Sequence, residues 1–188
     1  MKTFTTIALM AATVAVLLAQ QTSEEIPIPT DYREWIFLSS GLGMTYGPIA
    51  DSNGNRAPMF DNVFVAPAAY RAFLATGKWP EKTMFVLEAR SSISKGSINN
   101  GGHYQSDRMA FEIEVKDTAR FPGSGWAFFS TEGQTAKMFP RTASCYTCHA
   151  ANGAVDNTFV QFYPTLLPIA KAKGTLTDAY LHSSNEGH

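Results

Sequence analysis

The chain has 188 residues, of which 45% are hydrophobic and 12% aromatic, and its formal charge at pH 7 is -1. This is the composition of one globular domain with a real core. Near-balanced charge without a basic cluster argues against a nucleic-acid partner.

In chain order, residues 1–19 come first. Lys2 precedes an apolar run from Ile7 to Ala19, and polar residues follow at once. That pattern reads as a secretory signal peptide. The run is shorter than the roughly 20 apolar residues of a spanning helix, so no membrane span is expected after cleavage. The mature chain is expected in the periplasm or otherwise outside the cytoplasm. Residues 20–188 form the single expected domain, with Gln20 to Pro29 as a loose lead-in and a loose end at "NEGH".

Within the domain, "DYREWIFLSS" predicts a helix, with Asp31 as N-cap, Glu34 three residues on and an apolar face from Trp35 to Leu38. "DNVFVA" predicts a strand. "PAAYRAFLATG" predicts a helix opened by Pro67 and stopped by Gly77. "KTMFVLEARSS" predicts a strand with Thr83, Phe85, Leu87 and Ala89 on one face, and residues 91–106, rich in Ser, Gly and Asn, a long hairpin loop. "RMAFEIEVKD" alternates strictly, with Met109, Phe111, Ile113 and Val115 opposite Ala110, Glu112 and Glu114. "GWAFFST" predicts a further strand. A helical C-terminal third begins at "ASCYTCHA" and ends at "NTFVQFYPTLLPIAKAKG". Four strands at regular spacing predict an α+β fold, an antiparallel sheet with flanking helices.

The only cysteines, Cys145 and Cys148, stand two residues apart with His149 directly after them. A disulfide across so short a loop gains little. A structural zinc needs four ligands, and His103, His182 and His188 lack zinc spacing to the pair. A thiol oxidoreductase would place the pair beside a βαβ unit, and none is predicted here. C-x-x-C-H is instead the attachment signal of c-type haem. One helical turn presents both sulfurs to the ring edge. Cys145 and Cys148 are therefore expected to tether one covalent haem per chain, with His149 as the proximal iron ligand. No Met follows Met138, and His103, His182 and His188 read as surface residues. Met44, Met59, Met84 and Met109 remain formal sixth ligands but read as core filler. The expectation is a five-coordinate, high-spin iron with one open face, suited to gases or chemistry more than to electron transfer alone.

These features resemble the cytochrome P-460 family. "YREW", "VFVAPAAY" with "TGKWP", "EVKDTARF" with "GWAFF", and "CYTCHA" followed by "FVQFYPTL" carry the resemblance in order, from Pro29 to about Lys173. It implies an antiparallel sheet with helices, one c-type haem, and a homodimer. One branch of the family oxidises hydroxylamine and handles nitrogen oxides. A sister branch, cytochrome c-prime-beta, shares the fold, has an apolar pocket and binds diatomic gases. The resemblance implies a cross-linking lysine in the strand after "TGKWP", but Leu87 stands there. Leucine has no nucleophilic nitrogen, and Lys82 and Lys95 are poor substitutes. The resemblance also implies a proton-moving carboxylate, kept here as Glu112. Phe85 and Leu87 would line the haem as an apolar, bulky wall, and Arg90 or Arg108 is a candidate for the propionates. The expected function is binding of small nitrogen oxides or diatomic gases, NO or CO, at an open iron. Hydroxylamine oxidation with Glu112 as catalytic acid/base, and plain electron transfer to a redox partner, are the alternatives.

Overall fold

The computed structural model of the protein describes residues 24–45 and 57–185. The expected signal peptide, His188 and most of "NEGH" lie outside the described residues. Among the described residues seven strands build one sheet: β1 (Glu25–Pro27), β2 (Ile36–Leu42), β3 (Phe60–Val65), β4 (Met84–Ile93), β5 (Tyr104–Lys116), β6 (Trp126–Glu132) and β7 (Thr135–Met138). Their order is β1-β7-β6-β5-β4-β3-β2, and every pairing is antiparallel. Four helices among the same described residues accompany it: α1 (Pro67–Thr76), α2 (Ser144–Asn152), α3 (Leu167–Lys173) and α4 (Asp178–Asn185). No helix among the described residues is long and apolar enough to cross a membrane. The α+β architecture with an antiparallel sheet is the one the sequence predicts, and Cys145, Cys148 and His149 lie on α2.

The sheet has a core on each face. On one, Val65, Phe85 and Trp126 pack with Ala69 and Phe73 of α1 and Ala170 of α3. On the other, Phe64, Val86, Phe111, Ile113 and Phe129 pack under the N-terminal segment through Ile26 and Tyr32. That segment has to cross this face, because β1 and β2 are the two edge strands.

Several local expectations are corrected. "DYREWIFLSS" is not a helix: a single 3-10 turn at Tyr32–Glu34 gives way to β2, and Asp31 makes no side-chain cap bond. The run Ile36-Phe37-Leu38 prefers the pleated ladder with β3, and tertiary pairing overrides the helix signal. The loose lead-in contains β1, whose Ile26 is buried against β7. The long hairpin loop shrinks to residues 94–103, because β4 and β5 pair out to Ile93 and Tyr104. Met109 does not join Phe111 in the core and is 58% exposed. The β4–β5 register shifts beside it, and β6 covers β5 only from Glu112 onward.

Beneath the crossing segment, β4 carries a wholly buried carboxylate, Glu88. The Tyr32 hydroxyl donates to it at 2.5 Å and the Arg33 guanidinium at 2.6 Å, and Arg90 donates from the same strand. Burial alone would push the Glu88 carboxyl up. The hydrogen bonds from Arg90 and Tyr32 and the charge of Arg33 outweigh it and hold the group below its ordinary 4.5. A depressed folded-state pKa stabilises the fold above the unfolded value and is lost as pH falls through the folded one. Glu88→Gln is therefore expected to cost about 2 kcal/mol at neutral pH, since it removes the charge that the Arg90, Arg33 and Tyr32 hydrogen bonds are made to. In urea unfolding the gap from wild type should narrow steadily below pH 4.5. A constant gap across that range would contradict the assignment.

Candidate functional site

Period-two alternation turns one sheet face toward α2. Across β2 to β5, Ser39, Val63, Leu87 and Glu112 stand directly opposite one another. One step along, Phe85 faces Glu114, and on the other side Gly41 faces Asp61. These side chains form one wall of a cavity. Cys145, Cys148 and His149 of α2 form another, and Phe159, Phe162 and Tyr163 from the following segment close it. The space amounts to about 1080 Å³ counting its open side, which suits a flat organic ligand.

Cys145 and Cys148 sit three apart on one face of α2, half-buried and unpaired with each other. Burial pushes the Cys145 thiol up. The Nδ1 of His149 lies 2.9 Å from the carbonyl oxygen of Asn157, so Nδ1–H donates there and Nε2 is the free ligand atom. The ring is held between Phe128 and Phe159, with centroids 4.4 and 4.3 Å away. Nε2 faces the Glu114 carboxyl, Oε1 at 3.4 Å.

The cavity wall is more polar than the sequence suggested. Phe85 and Leu87 line it as expected, and Phe85 is also a core residue against Trp79 and Tyr163. Asp61, Glu112 and Glu114 line it too. Burial pushes all three carboxyls up. The charge of Asp61 adds to the rise at Glu112, and His149 pulls Glu112 and Glu114 partly back. Glu114 and Asp61 were missed in the sequence, although Glu114 was findable as the next same-face residue after Glu112. Met44 also lines the cavity, whereas Met59, Met84 and Met109 do not.

The other candidates lie elsewhere. Among the described residues no lysine lines the cavity. The Lys82 ammonium is bound to Asp117, and Lys95 lies in the β4–β5 connection. Arg90 is committed to Glu88, and Arg108 stacks over Phe111 of the opposite core. His103 meets Ser92 at the exposed hairpin end, and His182 lies on exposed α4.

Two thiols on one helix face and one oriented imidazole, all on one cavity, form the donor set that fits a haem. The macrocycle brings four nitrogens, so a single protein nitrogen completes its hold on the iron. Among the described residues no group of three or more His, Cys, Asp or Glu side chains gathers to hold a bare ion.

The stretch after α2 depends on Gly153, where a Cβ would stand 2.7 Å from backbone atoms of Asn157 and Thr158. Gly153→Ala is expected to cost about 2 kcal/mol, as overpacking against backbone does. Urea unfolding checks it; an unchanged midpoint would mean the stretch yields freely.

The sequence model of the family described as Cytochrome P460 matches residues 29–160, which takes in the sheet from β2 to β7 and the cysteine-bearing helix. No curated protein shows a significant match to the chain. The family's cofactor is haem, in keeping with the donor set on the cavity wall. By that match, over well more than half its length, the chain belongs to the cytochrome P460 family.

Proposed function

We propose that the protein is an exported mono-haem c-type cytochrome that binds small neutral nitrogen oxides, NO foremost, at this cavity. One observation carries the proposal: both thiols and Nε2 of His149 meet in a single cavity whose sheet wall presents Phe85 and Leu87 and no described lysine. Cys145 and Cys148 would hold the haem through thioether bonds, each S–H adding across a vinyl group, and Nε2 of His149 would be the ligand to its iron. Bound there, the haem supplies an iron with an exchangeable coordination position. Val63, Phe85 and Leu87 keep water sparse, and Asp61, Glu112 and Glu114 disfavour anions, so a small uncharged ligand is the best match. The apolar N-terminal run supports export, and the family resemblance supports a homodimer.

A second reading is oxidation of hydroxylamine, with electrons passed to a redox partner. The observation that favours it is Glu112, on the cavity wall with its carboxyl pushed up by burial into a range useful for general acid/base work. Electron transfer alone would need a filled sixth position, for which Met44 is the side chain at hand.

Optical spectra of the purified holoprotein, ferric and ferrous, with and without NO and hydroxylamine, separate these readings. The expected result is a high-spin c-type spectrum, NO binding and no hydroxylamine turnover. Turnover that falls about 100-fold in Glu112→Gln would establish the second reading instead. A low-spin spectrum indifferent to NO would leave electron transfer. In Cys145→Ser/Cys148→Ser the haem should become extractable into acidified organic solvent, and retention would refute covalent attachment.

A further inference from the structure

Residues 155–158 form a tight reversal immediately after α2. Val155 and Thr158 bridge each other, and the two residues between them are left-handed, Asp156 at φ 48° and Asn157 at φ 59°. Both central residues at positive φ is the requirement of a type I′ turn, and Asp and Asn are the side-chain types that tolerate it. The turn exposes one carbonyl, that of Asn157, to Nδ1 of His149.

What holds this turn lies on the sheet. Lys116, the last residue of β5, donates from Nζ to Asp156 Oδ2 at 2.5 Å and to the Trp79 carbonyl at 2.8 Å. The indole of Trp126 donates to Asp156 Oδ1 at 3.4 Å. From the other end, the indole of Trp79 donates to Thr158 Oγ at 2.8 Å, and that hydroxyl donates to Val155 O at 2.6 Å. The Lys116 side chain is only 14% exposed, so its ion pair is not a screened surface contact. A strained turn thus sits pinned at both ends, with its one outward carbonyl aimed at the imidazole.

We propose that Lys116 and Asp156 are positioning residues that act through the Asn157 carbonyl to fix the orientation and donor strength of His149. The proposal rests on the haem reading above. A carbonyl hydrogen-bonded to Nδ1–H holds the tautomer, aims Nε2 and makes the ring a stronger donor, and loss of such an outer partner costs metal sites about 10-fold to 100-fold. Neither residue reaches the cavity. Their effect passes through the turn: with the ammonium gone, Asp156 has no cation to hold it, the left-handed pair relaxes and the Nδ1 hydrogen bond lengthens.

The test uses the full-length holoprotein and three variants, Lys116→Met, Asp156→Asn and Lys116→Arg, with Lys82→Met as a control that breaks the neighbouring lysine–aspartate pair, Lys82 with Asp117, and leaves the turn's own contacts in place. The readouts are the iron–histidine stretching frequency of the ferrous protein and, after NO addition, the ratio of five- to six-coordinate species. Lys116→Met and Asp156→Asn should lower the frequency and raise that ratio roughly tenfold. Lys116→Arg should largely restore wild-type values, and Lys82→Met should leave them unmoved. Wild-type frequency in both Lys116→Met and Asp156→Asn would overturn the proposal, as would an equal shift in Lys82→Met, which would mark general loosening. An iron–histidine band that survives His149→Gly would instead refute His149 as the ligand, a failure of the haem reading separate from the tether.

Discussion

The constraint on which the site depends is the two-residue period of β5. From Phe111 to Lys116, one face carries Phe111, Ile113 and Val115 into the core beneath the N-terminal segment. The other carries Glu112 and Glu114 to the cavity and Lys116 to the turn after α2. A one-residue slip would bury two carboxylates and an ammonium and expose three core side chains, so register is strongly specified. The ladders to β4 and β6 on either side enforce it. Glu112 meets Leu87, and Glu114 meets Phe85, only because that register holds.

The same alternation was legible in the sequence, which is why the central strands could be named from it; the family resemblance marked Leu87 and Glu112 as site positions, and alternation put Phe85 on the same face as Leu87. Pro67 and Gly77 likewise marked α1. Legibility failed where structure depends on partners distant in sequence. β1 has three residues and exists because β7 offers an edge. "DYREWIFLSS" carries helix-start chemistry, yet its apolar half is claimed by β3. Asp61 reaches the cavity through strand order, which no local pattern reveals. The segment Val155-Asp156-Asn157-Thr158 did carry a readable signal, two turn formers between β-branched residues, but its importance lies in a carbonyl direction.

Phe85 and Leu87 predicted a dry, apolar wall, and three carboxyls share it. The two are compatible because each carboxyl rises in pKa as its surroundings dry, and at Glu112 and Glu114 a neighbour of like charge adds to the rise. A neutral carboxyl in such a wall costs far less than an ionised one and can donate a hydrogen bond. Neutral, these groups tolerate an uncharged ligand; ionised, they repel an anion. Both states select in the same direction.

Glu112 and Glu114 are nonetheless not equivalent. Glu114 faces Nε2 of His149 across 3.4 Å and lines the inner cavity alone. Glu112 lines that cavity and also a second cleft, bounded by Arg108, Ser130 and Thr131, where β6 parts from β5. A proton path between the two spaces would begin at a residue that borders both, and Glu112 is such a residue. Ligand binding needs no such exit, since nothing is released. Chemistry that liberates protons is the kind that would make use of Glu112, and because Glu112 stands directly opposite Leu87 the carboxyl and the apolar wall meet at one point of the cavity.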